Sequence, residues 1–138
     1  MPGEFSTAGA NGALDAVTGR ATQTAATRYL ALLTAIPTDA STPATMTEVN
    51  TPGSNGYQRQ AVSWSAPSGD PSSSGNTGVL TFGAFTAGTA QVVACALVDS
   101  QTGTTGSIRA WWQLTTPRTP AAGDTITFAA GDLVLTCD

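Results

Sequence analysis

The closing stretch of the sequence, residues 121–136, constrains the fold most strongly because it contains the phrase Ala-Ala-Gly-Asp twice, at 121–124 and at 129–132. In the segment that follows each copy, apolar residues alternate with smaller or polar ones, which is the pattern of a β-strand with one apolar face. Glycine supplies the positive φ of a tight turn, and an aspartate carboxylate accepts hydrogen bonds from nearby backbone. The repeat therefore predicts a β-hairpin whose aspartates serve the turns rather than a metal ion.

Similar strand patterns recur through the rest of the chain and predict strands at residues 28–34, 57–64, 78–85, 91–98 and 107–114. The segment 28–34 is apolar on both faces, which indicates a central position in a sheet, and 91–98 is the most continuous apolar run. One short helix is predicted from Asn11, which can cap its start, to Gly19, which can end it. About seven strands with one short N-terminal helix are typical of an all-β fold, an antiparallel β-sandwich or small barrel.

Two regions fall outside the strand pattern and are candidates for contact with a neighbouring subunit. Residues 1–8 are small and polar apart from Phe5, and we expect them to form an N-terminal arm. Residues 9–138 are expected to form a single β-sandwich domain with a long loop at 36–56, where Pro37, Pro43 and other prolines and glycines prevent regular pairing. A loop of this length is often functional. A further exposed loop is predicted at 66–76, which is rich in serine, glycine and proline.

The neighbouring tryptophans Trp111 and Trp112 must face opposite sides of their strand. The register predicts Trp112 in the core with Ile108, Ala110 and Leu114, and it predicts Trp111 on the outer face beside Arg109 and Gln113. An outer tryptophan beside an arginine is a common interface anchor. A ring packed under a loop explains the position equally well, so both interpretations stay open.

The chain has no histidine and no lysine, and its basic residues are five arginines. Without those side chains there is no Ser-His-Asp triad, no imidazole metal site and no Schiff-base lysine. The nine acidic residues lie mainly in turns and near the termini, where no paired-carboxylate site is evident, and no calcium-loop motif is present. We therefore expect a protein that is not an enzyme and has no cofactor. The net charge of −4 argues against a nucleic-acid partner, which requires a basic surface.

The two cysteines, Cys95 and Cys137, lie far apart in sequence, each within an apolar strand pattern. This placement predicts buried free thiols, with a disulfide between neighbouring strands as the alternative. No stretch reaches the roughly 18 apolar residues of a membrane span, and no export signal begins the chain. We expect a soluble protein without a membrane partner.

Several stretches resemble a family of small virion proteins of tailed bacteriophages, particularly those that infect actinobacteria. They are residues 29–40 (YLALLTAIPTDA), Glu48-Val49 with residues 57–64 (YQRQAVSW), and residues 122–133. None of them is a catalytic signature. Members of the family are capsid decoration or minor structural proteins, sometimes labelled tail-fibre proteins. The middle of the chain, with Cys95 and the two adjacent tryptophans, lies outside the resemblance.

The resemblance implies a capsid decoration protein, made in the host cytoplasm, that binds the major capsid protein on the outer surface of the head and stabilises it. We expect homotrimers at local symmetry axes. The candidate residues for the capsid or subunit interface are Phe5, Pro37, Pro43, Met46, Glu48, Val49, Arg59, Arg109 and Trp111. One alternative is a tail or tail-fibre component that contacts the host surface. A further alternative is a carbohydrate-binding module that uses Tyr57, Trp64, Trp111 and Gln113 as a stacking platform.

Overall fold

The computed structural model describes residues 1–22 and 24–137, and this part of the chain forms nine strands and one α-helix. The elements are β1 Glu4–Phe5, α1 Thr7–Thr18, β2 Arg28–Leu33, β3 Gln60–Val62, β4 Ser72–Gly75, β5 Leu80–Gly83, β6 Val92–Val98, β7 Ile108–Arg118, β8 Thr125–Phe128 and β9 Val134–Cys137. All the strand pairs within the sheets are antiparallel. The predicted all-β sandwich with one N-terminal helix is confirmed.

The largest sheet has five strands in the order β1-β7-β6-β2-β3. Strands β6 and β2 lie inside it because their residues are apolar on both faces, as the sequence predicts. Leu30 and Leu32 of β2 point into the main core, whereas Ala31 and Leu33 point to a second, smaller apolar cluster on the opposite face. The five-stranded sheet is thus covered on both sides.

Two short sheets, β4-β9 and β5-β8, contribute the facing side of the main core. Trp112 is fully buried in this core and stacks on Trp64, with ring centroids 5.8 Å apart. Phe82 of β5 stacks on Tyr57 and meets Phe128 of β8 edge-on. These aromatic contacts connect β5 to the long loop, β5 to β8, and Trp64, which follows β3, to β7.

The predicted closing hairpin is wrong, although its turns form as expected. Strand β8 pairs with β5 and β9 pairs with β4, so the two arms lie in different sheets. In each Ala-Ala-Gly-Asp turn the aspartate carboxylate accepts a hydrogen bond from the backbone N–H three residues earlier. The distance is 2.9 Å for Asp124 and Ala121 and 2.7 Å for Asp132 and Ala129. The glycine before each aspartate has positive φ, as the turn requires.

Several predicted element boundaries are also corrected. The loop expected at 66–76 contains β4. This strand is serine-rich and has no apolar face, so the sequence pattern does not predict it. The strand expected at 57–64 shortens to β3 because Tyr57 and Arg59 turn into the interior. Helix α1 begins before Asn11, since the hydroxyl of Ser6 caps it, but it ends before Gly19 as predicted. The N-terminal segment does not project as an arm, because β1 pairs with β7 and α1 follows at once.

A bulge in β7 overturns the predicted position of Ile108. Leu97 lies opposite Ala110, but the next residue, Val98, lies opposite Ile108, so one residue of β7 is skipped. Ile108 therefore joins the second cluster on the far side of the sheet, while Ala110, Trp112 and Leu114 face the main core as expected. Trp111 lies on the far side too, half-buried against the second cluster.

Residues 34–59, all of them described, contain no helix or strand of their own. They fold back along the end of β2, where the backbone N–H of Val49 donates to the carbonyl of Leu32 at 2.9 Å. Met46 packs against the second cluster, and Val49 packs against the main core. The long loop is therefore part of the packed structure.

Candidate interaction surfaces

Two of the predicted interface residues, Glu48 and Arg59, bind each other inside the domain. The guanidinium donates from Nε to Glu48 Oε1 at 2.9 Å and from Nη2 to Oε2 at 2.8 Å. Arg59 also donates to the carbonyls of Ser100 and Gly103, at 2.9 and 3.0 Å. Its side chain is 1% exposed and that of Glu48 is 13% exposed. The pair therefore ties the long loop to the turn that connects β6 and β7.

Tyr57 extends this network towards the centre of the sheet. Its hydroxyl donates to Glu48 Oε1 at 2.6 Å and accepts from the backbone N–H of Leu32 at 3.0 Å. Burial, and then the negative charge of Glu48, raise the pKa of the Tyr57 hydroxyl far above its ordinary value. The hydrogen bonds that Arg59 donates to Glu48 raise the pKa of the guanidinium, although burial opposes this. The charges of this network are matched within the chain.

Four of the predicted interface residues, Pro43, Met46, Glu48 and Arg59, line one open depression of about 520 Å³, here called the loop cup. Asn50 also lines it, and the amide nitrogen of this side chain is buried without a hydrogen-bond partner among the described residues. Pro37 is buried and does not line the loop cup, and neither does Val49.

Arg109 is positioned by Asp99, the acidic residue that follows β6. Asp99 accepts two hydrogen bonds from Arg109, at 2.9 and 3.0 Å, and one from the backbone N–H of Ser107 at 2.9 Å. Arg28 lies 3.3 Å from the same carboxylate. Burial alone would raise the pKa of Asp99, but the hydrogen bonds and the two positive charges outweigh it and lower the pKa.

Arg109 and Phe5 line a cavity of about 260 Å³ between α1 and the large sheet. The helix approaches β7 closely at Gly9, where an added Cβ would lie 1.9 Å from the Arg109 carbonyl oxygen. Its second half carries no buried residue, and Leu14 and Val17 are 62% and 85% exposed. The N-terminal end of α1 thus packs on the sheet, while Leu14 and Val17 face outwards.

Trp111 belongs to a third group, separate from the loop cup. Its Cα lies opposite that of Glu4 in the β1–β7 pairing. Both residues line a depression of about 360 Å³, here called the Trp111 groove, whose other walls are Met1, Pro2, Gln113, Leu114 and Thr115. The indole N–H of Trp111 is buried and has no hydrogen-bond partner in the described part of the chain.

The four residues considered as a carbohydrate platform do not share one surface. Tyr57 is buried, and Trp64 is half-buried with its ring stacked on Trp112. Trp111 and Gln113 do share the Trp111 groove. Sequence reasoning missed two further polar members of this groove, Glu4 and Thr115. Thr115 could have been found from the period of two along β7, but Glu4 gives no sequence signal because its position depends on the pairing of distant strands.

The remaining sequence expectations concern cysteines, metals and membranes. Cys95 and Cys137 are both free. Cys95 is buried as expected, but Cys137 is exposed at the end of β9, opposite Ser72. Within residues 1–22 and 24–137, no three candidate ligand side chains come together for a metal ion. The helix in that part of the chain is neither long nor apolar enough to cross a membrane.

Residues 4–136 match the family model described as Podophage GP4 fiber I protein gp80. The match shows that this β-sandwich is a structural protein of a bacteriophage virion. In particular, the chain belongs to the podophage GP4 fiber I protein gp80 family. A search of curated proteins finds no match.

Proposed function

We propose that the protein is a fibre component of the podophage tail that contacts the host surface, rather than a decoration protein of the capsid exterior. The observation that carries this proposal is the family match over residues 4–136, because the family is described by a fibre protein. The match includes all nine strands up to residue 136 and therefore the whole framework of the domain.

The arrangement of charges is compatible with this role. Arg59 and Arg109, two of the candidate interface residues, are paired with Glu48 and Asp99 of the same chain. Their bonds hold the long loop and the β6–β7 turn in place. A fibre domain exposed outside the cell benefits from loops held in one geometry, because preordered groups lose less conformational entropy when they bind a surface.

The experiment that tests this proposal measures copy number and adsorption in the same phage. The protein is quantified against the major capsid protein in purified particles by mass spectrometry, and a phage with the gene deleted is assayed for binding to host cells. A tail fibre predicts few copies per particle, loss of adsorption and heads that remain as heat-stable as before. A ratio near one, or a simple fraction of it, together with heat-sensitive heads would instead identify a capsid decoration protein.

We also propose that the protein acts as a homotrimer, since virion fibres and decorations are built from closed symmetric assemblies. Light scattering of the purified chain tests this directly. A mass three times that of the chain supports the proposal, and a monomer at micromolar concentration contradicts it.

A further inference from the structure

We propose that the Trp111 groove is a binding subsite for a neutral saccharide, with the indole of Trp111 as its platform and Glu4, Gln113 and Thr115 as its polar groups. This inference deepens the proposed host-surface contact and rests on it for its biological meaning. The affinity of the groove for a saccharide can be measured on the purified chain, without the phage.

The backbone brings these side chains to one surface. Trp111, Gln113 and Thr115 occupy alternate positions of β7 and therefore share a face, while the intervening Trp112 and Leu114 are buried in the main core. Glu4 is added from the opposite strand by its pairing with Trp111. Because β1 has only two residues, it covers β7 at Ala110 and Trp111 and leaves Gln113 and Thr115 exposed.

The groove combines the groups that recognise sugars. An indole offers a flat, polarisable surface on which the C–H face of a pyranose can pack, and its N–H is a hydrogen-bond donor. The Trp111 N–H is buried and lacks an acceptor within the described residues, which is uncommon for a buried donor. A carboxylate, an amide and a hydroxyl around the ring supply acceptors and donors for further hydroxyl groups.

Charge and size narrow the ligand class. Among the described residues Glu4 is the only charged side chain that lines the groove, and the amino group of Met1, which also lines it, is bound to the Asp132 carbonyl. The carboxylate of Glu4 therefore disfavours sugars that carry carboxylate or phosphate groups. The net charge of −4 acts in the same direction. The volume of about 360 Å³ lies at the lower end of the range for small-ligand sites. A neutral monosaccharide or the end of a neutral glycan chain fits these limits.

The inference is tested by saturation-transfer NMR of the full chain with D-glucose, D-galactose, D-mannose, L-rhamnose and N-acetyl-D-glucosamine, and with D-glucuronate as the acidic comparator. We expect transfer to at least one neutral sugar and none to glucuronate. The exposed side chain of Gln113 can be truncated without disturbing the core, so Gln113→Ala should fold normally and weaken binding about tenfold, as expected for one lost hydrogen bond. Glu4→Gln should also weaken binding, while Thr81→Ala, at an exposed position of β5, is the matched control.

Absence of transfer to every neutral sugar, equal transfer to glucuronate, or unchanged binding by Gln113→Ala would overturn the inference. The outcome is separable from that of the adsorption experiment. A phage that needs this protein for adsorption, combined with a chain that binds none of these sugars, keeps the fibre role and removes the subsite. Sugar binding that depends on Gln113, combined with normal adsorption of the deletion phage, keeps the subsite and removes the fibre role.

Discussion

Arg59 and Glu48 form a bidentate ion pair inside the domain, with both Nε and Nη2 of the guanidinium bound to the carboxylate oxygens at 2.9 and 2.8 Å. Both residues belong to a sequence that resembles virion proteins, and both were candidates for an external interface. Their pairing instead has a structural role inside the domain, since together they join the long loop, the β6–β7 turn and, through Tyr57, the central strand β2.

The first prediction concerns removal of one partner of this pair. Arg59→Met leaves the Glu48 carboxylate with only the Tyr57 hydroxyl as donor and removes the guanidinium from the carbonyls of Ser100 and Gly103. We therefore expect a loss of about 3–5 kcal/mol in the free energy of unfolding. Urea unfolding followed by tryptophan fluorescence measures it. Arg20→Met is the control, because Arg20 is 77% exposed in its pair with Asp15 and its removal should cost about 0–1 kcal/mol. Equal losses for the two variants would contradict the structural role of Arg59.

The second prediction follows from the lowered pKa of Asp99. A carboxyl group whose pKa is lower in the folded state stabilises the fold above its unfolded pKa, and this contribution disappears as the pH falls through the folded value. Asp99→Asn should therefore be less stable than the parent chain near neutral pH, and the difference should shrink under acidic conditions. Urea midpoints measured from neutral to strongly acidic pH test it, with the exposed Asp70→Asn as control. A difference that does not change with pH would count against this account.

The third prediction tests how α1 is seated. Alanine is a better helix former than glycine by about 1 kcal/mol, but a Cβ at Gly9 would lie 1.9 Å from the carbonyl oxygen of Arg109. Since backbone cannot move aside cheaply, the clash should dominate and Gly9→Ala should lose about 1–3 kcal/mol. Thermal unfolding and protease sensitivity near the N-terminus measure the effect. Gly78→Ala, where nothing lies within 4 Å of the added Cβ, should leave both unchanged.

The fourth prediction distinguishes the two thiols. Cys95 is fully buried, and burial raises the pKa of its thiol, whereas Cys137 is exposed. A thiol reagent such as DTNB should modify one equivalent rapidly in the native protein and a second only after denaturation. Cys137→Ser should abolish the rapid phase. Rapid modification of both thiols in the native state would show that β6 is accessible to reagent.

The sequence predicted the parts of the fold whose signal lies within one strand. Strands β2 and β6 are continuous apolar runs, and the alternation around Trp111 and Trp112 places these two rings on the correct faces. Periodicity does not show which strands pair. The apolar pattern of residues 125–136 is therefore compatible with the hairpin that we predicted, although its arms pair with β5 and β4 instead.

The candidate surfaces were less predictable because they depend on distant pairings. The nine predicted interface residues are distributed over three surfaces and the interior, and only the loop cup gathers four of them. The bulge opposite Val98 turns the Ile108 side chain to the other face of the sheet, and the sequence from Ile108 to Ala110 contains no glycine or proline that would predict it. Glu4 reaches the Trp111 groove only because β1 pairs with a strand more than a hundred residues further along the chain.

The same distant pairings determine when the domain can close during synthesis. Each early strand can pair only after a much later one has been synthesised: β1 pairs with β7 through Glu4 and Trp111, β5 pairs with β8, and β4 pairs with β9. Strand β9 is the last strand of the described chain. Until β9 has left the ribosome, the serine-rich strand β4 lacks its partner and part of the main core is open to solvent. Folds dominated by such non-local contacts assemble in about milliseconds to seconds, much more slowly than helical bundles. The nascent domain is therefore most exposed to aggregation in the interval before β9 has emerged.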